Sequence, residues 1–321
     1  MFKFHLIALL FGTILELYFG DLKAFCWIKN AIIRSSKILE STFLGEDYVL
    51  LEKTDRKDYG LALLLMVLVP MVFLIGILNF VFYNINAFCG VVFESYIVIC
   101  CLEVRKLRVD FLSFKEAYFD KNICLDKYDF SWVSKDYKKY SIEELTKKVV
   151  EQVAISLNRG FIGPLFYLFI GGPALGVLYF GISILDNEVG YHTERYEDFG
   201  YYAAKLDDAA NYIPSRIAGR LTILGTKIST GSYNSKNSSY IFHRDRRNNL
   251  SPNSGMTEAA LAGALEISLG DDVSFNTSSN RPKIGDATRE IDINVANKAV
   301  ELLYFLYFTI QIILVILLII F

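Results

Sequence analysis

Residues 61–82 read LALLLMVLVPMVFLIGILNFVF, a run without a single charged side chain. About 20 apolar residues are enough for a helix to cross the hydrocarbon core of a bilayer, so this segment decides the class of the chain: a helical membrane protein. Pro70 inside it is tolerable as a kink, because neighbouring helices satisfy the backbone groups that it frees. After Tyr83-Asn84-Ile85-Asn86, a second and shorter apolar run from 87 to 102 turns back and carries Glu94. An acid at membrane depth faces protein or water rather than lipid, which makes Glu94 a functional candidate beside the plainer reading of a packed polar pair.

The composition agrees with this start. The 321 residues are 53% hydrophobic and 15% aromatic, with a mean hydropathy of +0.33, too apolar for an ordinary soluble protein of this size. A net charge of -2 conceals 33 basic and 35 acidic side chains gathered outside the apolar runs, and no basic field suited to nucleic acid stands out. The five cysteines, Cys26, Cys89, Cys100, Cys101 and Cys124, have no CxxC spacing, and there are three histidines, so neither a zinc site nor a disulfide framework is expected.

Outward from 61–82, residues 2–19 read as a retained membrane helix, since no small-residue cleavage site follows them. Residues 20–59 mix charge and apolar side chains in an amphipathic pattern suited to the bilayer surface or a partner helix. From 103 to 159 the chain is polar with a helical pattern, and Ser141-Ile142-Glu143-Glu144 reads as a capping box. In 161–185 the Gly171-Gly172-Pro173 break splits an apolar run into two half-helices. Of the 33 basic residues, 32 fall in three segments, seven in 20–60, twelve in 103–159 and thirteen in 186–300. The positive-inside rule places all three on the cytoplasmic face, which requires crossings at 2–19, 61–82, 87–102 and 302–321 and a broken hairpin at 161–185 that returns to its own side. Residues 229–249 read as a long cytoplasmic loop. Gly219 to Lys227 fails the phosphate-loop spacing. A helix is expected over 257–268, with Ser254 as its N-cap and small-xxx-small pairs for close packing. The expected organisation is membrane helices with an amphipathic segment in 1–102, a polar helical segment in 103–160, a hairpin and substrate-binding region in 161–301, and a last membrane helix.

The stretch from Ile184 to Arg220 carries ten Asp, Glu or Arg side chains and Lys205. It reads as two helical pieces separated by Gly200, with Pro214 kinking the second. Asp207 and Asn211 are i,i+4 neighbours, and Asp208, Tyr212 and Arg216 form the next ridge. A solvated helix pair laced with surface ion pairs is the bland alternative.

Four blocks favour a functional reading: LDNEVGY (185–191), ERYEDFG (194–200), AAKLDDAANYIPSR (203–216) and SPNSGMTEAALAGAL (251–265). They resemble, in order and spacing, the signature blocks of the adenosylcobinamide-phosphate synthase (CbiB/CobD) family, membrane enzymes of cobalamin biosynthesis. The resemblance implies an inner-membrane, multi-pass enzyme that uses ATP and magnesium to join adenosylcobyric acid, a corrinoid, to aminopropanol or its phosphate, as a homo-oligomer or beside other corrinoid enzymes. Toward that chemistry it suggests Asp207 and Asp208 for magnesium. Arg195, Asn211, Arg216, Arg244, Ser251 and Asn253 are suggested for substrate or phosphate, and Asp186, Glu194 or Glu151 for proton transfer. Two departures stand against it. Cys26-Trp27 replaces a His-Pro pair, and Ile155, Ser156 and Arg159 replace an acid, an amide and an acid near Glu151. The alternative is therefore a catalytically impaired relative that binds or assembles.

Overall fold

The computed structural model describes residues 2–20, 22, 27–45, 51–120, 128–134, 136–190, 195–249, 251–270 and 282–321. Glu194, Cys26 and Cys124 lie outside the described residues. The helices in chain order are α1 (Phe2–Phe19), α2 (Trp27–Phe43), α3 (Lys53–Ile85), α4 (Ala87–Cys101), α5 (Val104–Phe119), α6 (Ile142–Ser156), α7 (Gly163–Val189), α8 (Tyr201–Ile228), α9 (Ser235–Asp245), α10 (Ser254–Leu265) and α11 (Ile293–Ile320). A short antiparallel pair, β1 (Ser268–Leu269) and β2 (Ile284–Gly285), lies between α10 and α11 in the chain. The chain is mainly α and polytopic. Among the described residues, five helical stretches are long and apolar enough to cross a membrane: Phe2–Phe19, Lys53–Ile85, Ala87–Phe119, Ile142–Val189 and Ile293–Ile320.

The chain divides into two compact units. The first comprises Met1–Leu102, Gly163–Asn211 and Ile313–Phe321. In it α1 packs on α4, α4 on α3 and α7, and α2 on α7. The buried face of α1, Leu6, Leu9, Thr13 and Glu16, follows the helical period, while Phe4, Phe11 and Ile14 face outward as lipid-exposed side chains do. Gly12 lets α1 approach closely, since a β-carbon there would lie 2.5 Å from the Val98 Cβ. On the polar extension of α3, Arg56 lies 3.2 Å and Lys57 3.8 Å from the buried Asp198 carboxylate.

Helix α7 folds back on itself. Gly171 (φ -133°, ψ 18°) and Gly172 (φ 60°, ψ -155°) leave helical space, and the Tyr167 and Tyr179 rings stack with centroids 5.0 Å apart. Twelve residues of straight helix would separate them by about 18 Å. The two halves therefore form a hairpin with Gly171 and Gly172 at its tip.

The second unit comprises Glu103–Ile162 and Tyr212–Ile312. Its α6 begins with the expected capping box: the Ser141 N–H donates to Glu144 Oε2 at 2.8 Å, and the Glu144 N–H to Ser141 Oγ at 3.2 Å. All of α10 after Ser254 is buried, and its small residues admit α9, where Ser238 Oγ donates to the Ala260 carbonyl at 2.7 Å and Asn237 Nδ2 to that of Gly263 at 2.9 Å.

Several sequence expectations need correction. Residues 229–249 are not an open loop, because α9 occupies 235–245: Asn234 caps it by accepting the Asn237 N–H at 3.0 Å, and Ser238, Ile241, Phe242 and Asp245 bury one face at helical spacing. Helix α10 starts at Ser254, with Asn253 rather than Ser254 at the N-cap. It stops at Leu265, where Glu266 adopts φ 61° and turns the chain into β1. Helix α11 starts at Ile293 and not at 302, with the Asp292 carboxylate accepting the Val295 N–H at 2.9 Å. Helix α8 begins after Gly200 as expected, but runs unbroken through Pro214.

Candidate functional site

The four sequence blocks supply two polar groups, one in each unit, and α8 contributes to both. In the first unit Asp207 and Asn211 are buried, at 2% and 1% exposure. Asn211 Nδ2 donates to Asp207 Oδ1 at 3.0 Å and to the Asp207 carbonyl at 3.0 Å, while its Oδ1 accepts the Tyr179 hydroxyl at 2.7 Å. Tyr167, on the other half of the hairpin, donates to the Ala210 carbonyl at 2.9 Å. That carbonyl is the one Pro214 cannot serve, having no N–H to return to position i−4. The hairpin thus supplies the hydrogen bond that the proline removes, which accounts for a continuous α8. Asp208, one residue on and about 100° round the helix, is half-buried.

Other sequence candidates of this unit lie elsewhere. Arg195 sits 3.1 Å from Glu40 of α2 and donates to the Gly45 carbonyl at 3.3 Å, while the Tyr196 hydroxyl donates to the same Glu40 oxygen at 2.8 Å. Burial opposes the charge of Arg195, yet hydrogen bonding to Glu40 raises its pKa further above the ordinary guanidinium range. Asp186 is half-buried near the end of α7, and its carbonyl accepts the Gly190 N–H at 2.8 Å. Glu194 lies outside the described residues.

In the second unit Ser215 and Asn253 are buried, at 0% and 3% exposure. Ser215 Oγ donates to Asn253 Oδ1 at 3.3 Å, and Arg216 reaches the same oxygen at 3.4 Å with its guanidinium 3.5 Å above the Tyr212 ring. Ser251 Oγ accepts the N–H groups of Asn253 and Ser254 at 3.4 and 3.5 Å. Arginine, amide and hydroxyl therefore gather at the start of α10, where first-turn N–H groups favour an anion. Arg244 instead grips Asp245 at 2.7 Å and Asp286 at 3.0 Å. Asp245 also accepts the Gly285 N–H at 2.7 Å, and although burial opposes its ionisation, Arg244 and that N–H hold its carboxyl below the usual range. Glu151 is buried and accepts the Gly270 N–H at 2.9 Å.

The family model described as CobD/Cbib protein matches residues 9–303. The chain belongs to the CobD/CbiB family. A relative named cobalamin biosynthesis protein CobD in Halalkalibacterium halodurans is 30% identical over 315 residues, 96% of each chain. Its namesake in Clostridium perfringens is 36% identical over 222 residues, covering 68% of this chain and 70% of that one. The one in Geobacter metallireducens is 31% identical over 306 residues, 92% of each chain. No solved structure matches the chain.

Several residues that order these groups were not singled out in the CobD/CbiB blocks. Nothing in the spacing of Tyr167 and Tyr179 along the sequence says that both hydroxyls point at α8. Glu258, fully buried on α10, accepts Asn249 Nδ2 at 2.6 Å. Its signal is an acid inside an otherwise uncharged helix. Among the described residues no three His, Cys, Asp or Glu side chains cluster as a protein-built metal cage requires. The CobD/CbiB resemblance implies magnesium, which keeps waters and needs only one or two carboxylates beside substrate phosphates; the half-buried Asp208 has the donor chemistry for that role, whereas the Asp207 carboxylate is buried and holds Asn211.

Proposed function

We propose that this membrane protein acts in cobalamin biosynthesis as an ATP-dependent amide ligase, joining the carboxylate of adenosylcobyric acid to aminopropanol or its phosphate. The carboxylate oxygen attacks the γ-phosphorus of ATP, forming an acyl phosphate and releasing ADP. The amine nitrogen then attacks the acyl carbon, phosphate leaves, and the surplus amine proton passes to a base.

The single observation that carries this reading is the set at the start of α10, where Arg216 and Ser215 reach the buried Asn253 beside the first-turn N–H groups. It has the chemistry of a phosphate seat: a cation on one side, with an amide and a hydroxyl to orient, at the start of a helix. In the other unit, Asp208 is the more accessible oxygen donor, and Asp207 holds Asn211. Magnesium, when bound, would offset phosphate charge there. Asp186 is the proposed proton acceptor, while Arg195, Arg244 and Glu151 hold Glu40, Asp245 with Asp286, and Gly270, which makes them positioning residues.

The second reading, a relative that binds without turnover, is favoured by one observation: Ile155 and Arg159 stand where acids stand in the resembled block. Arg216→Met separates a phosphate seat from a packing role. The proposal expects the variant to purify folded and to lose most binding of aminopropanol phosphate in calorimetry, and unchanged affinity would contradict it.

A further inference from the structure

At the tip of the α7 hairpin, a cavity of about 440 Å³ is lined by Phe2, His5, Asn79, Tyr83, Glu94 and residues 169–173. It belongs wholly to the first unit and contains none of the residues proposed above for catalysis. Glu94 is only 2% exposed and is held from two helices. His5 Nδ1 lies 2.5 Å from Oε1, and the Tyr83 hydroxyl donates to Oε2 at 2.6 Å. The second imidazole nitrogen, His5 Nε2, is 3.1 Å from the Phe169 carbonyl on the hairpin itself.

These partners fix the proton count. A carbonyl oxygen only accepts, so Nε2 carries hydrogen. The Nδ1–Oε1 contact then holds one further proton, either on an imidazolium facing a carboxylate or on a carboxylic acid facing a neutral ring. Both forms have zero net charge, as a buried site among apolar helices demands. Removing the proton turns two lone pairs toward each other at 2.5 Å and leaves an uncompensated carboxylate. Among the described residues, no side chain of 169–173 titrates and Lys3 on α1 is exposed, so His5, Tyr83 and Glu94 are the ionisable side chains lining this cavity from α1, α3 and α4. Asn79 Oδ1 is buried without a hydrogen-bond partner and lines the same cavity, which is roomy enough for water to bring a proton in.

We propose that this cavity is a proton-binding site, shared by His5 and Glu94, whose occupancy fixes the tip of the hairpin and with it the seating of α8. The link is continuous. His5 holds Phe169, and the two half-helices that leave the tip carry Tyr167 to Ala210 and Tyr179 to Asn211. With the proton bound the tip is latched. As pH rises and the proton is lost, the His5–Glu94 contact opens, the tip loosens, and both tyrosine contacts loosen with it. The inference rests on the hairpin geometry and does not depend on the ligase chemistry.

The test uses the full chain in lipid nanodiscs between about pH 5 and pH 9, a range centred on ordinary histidine titration. Ring-nitrogen NMR follows His5, assigned by comparison with His5→Gln, while hydrogen exchange, corrected for its intrinsic pH dependence, follows peptides covering 165–176 and 207–212. The expected result is a single step in which His5 loses its proton and exchange in both peptides accelerates about tenfold or more. Glu94→Gln, whose amide donates to neutral Nδ1 and still accepts from Tyr83, should stay protected across the range. A His5 ring that never titrates, exchange that ignores its titration, or a step that persists in Glu94→Gln would each overturn the proposal. Loosening of 165–176 without 207–212 would overturn the link to α8.

Discussion

Asp207 and Asp208 are neighbours on α8 with different surroundings, and the difference separates their mutants. Asp207 is buried and fixes Asn211, so Asp207→Leu removes the side-chain acceptor of the buried Asn211 amide while the backbone carbonyl of position 207 remains, and is expected to cost about 1 kcal/mol, measured by thermal unfolding in detergent. Asp208→Asn keeps size and removes charge from a half-buried position; it should leave the unfolding midpoint unchanged and weaken magnesium–ATP binding in calorimetry. Tyr179→Phe removes one hydroxyl from Asn211 and should cost about 1 kcal/mol. Asp245 gives a pH prediction. Its folded carboxyl lies below the ordinary value of about 3.9, so its stabilisation is complete above that value and disappears as pH falls through the lower folded one. Exchange protection of β2 should therefore fall in acid, and Asp245→Asn should abolish that acid step while lowering protection at neutral pH.

At the scale of elements, the apolar helices were legible because a bilayer imposes length and polarity on a sequence directly, as residues 61–82 show inside α3. The hairpin was legible for a local reason too: Gly171-Gly172-Pro173 cannot continue a helix. Helix α9 was not, because its Ser and Asn residues are turn formers in isolation, and only packing against the small residues of α10 makes Ser238, Ile241 and Phe242 an inner face. The continuity of α8 through Pro214 was hidden for a similar reason, since the hydroxyl that completes it comes from Tyr167, 43 residues away. The acidic and amide blocks were readable from their resemblance to a family, but the different burial of Asp207 and Asp208 required the fold. Gly172 gives the test at this scale. Its φ of 60° with ψ -155° is essentially reserved to glycine, so Gly172→Ala should destabilise the protein by about 1–3 kcal/mol in thermal unfolding.

For the whole molecule, the distribution of basic residues makes one demand: residues near 30, 140 and 240 belong on one face of the membrane. Single cysteines replacing Asn30, Tyr140 and Tyr240 in a cysteine-free background should all be labelled by an impermeant thiol reagent from the cytoplasmic face, and labelling from different faces would refute that arrangement. The hairpin, which returns α7 toward the side it came from, is the element that makes the common face attainable. Each of the two units carries candidate residues, the acid group in the first and the anion seat in the second. The most direct measurement supplies the purified full chain in nanodiscs with adenosylcobyric acid, aminopropanol phosphate, ATP and magnesium, and follows adenosylcobinamide phosphate together with ADP. The account predicts one ADP released per amide formed, at a rate below that of a relative that keeps the acids missing at 155 and 159. Absence of both products, under conditions where such a relative forms them, would contradict it.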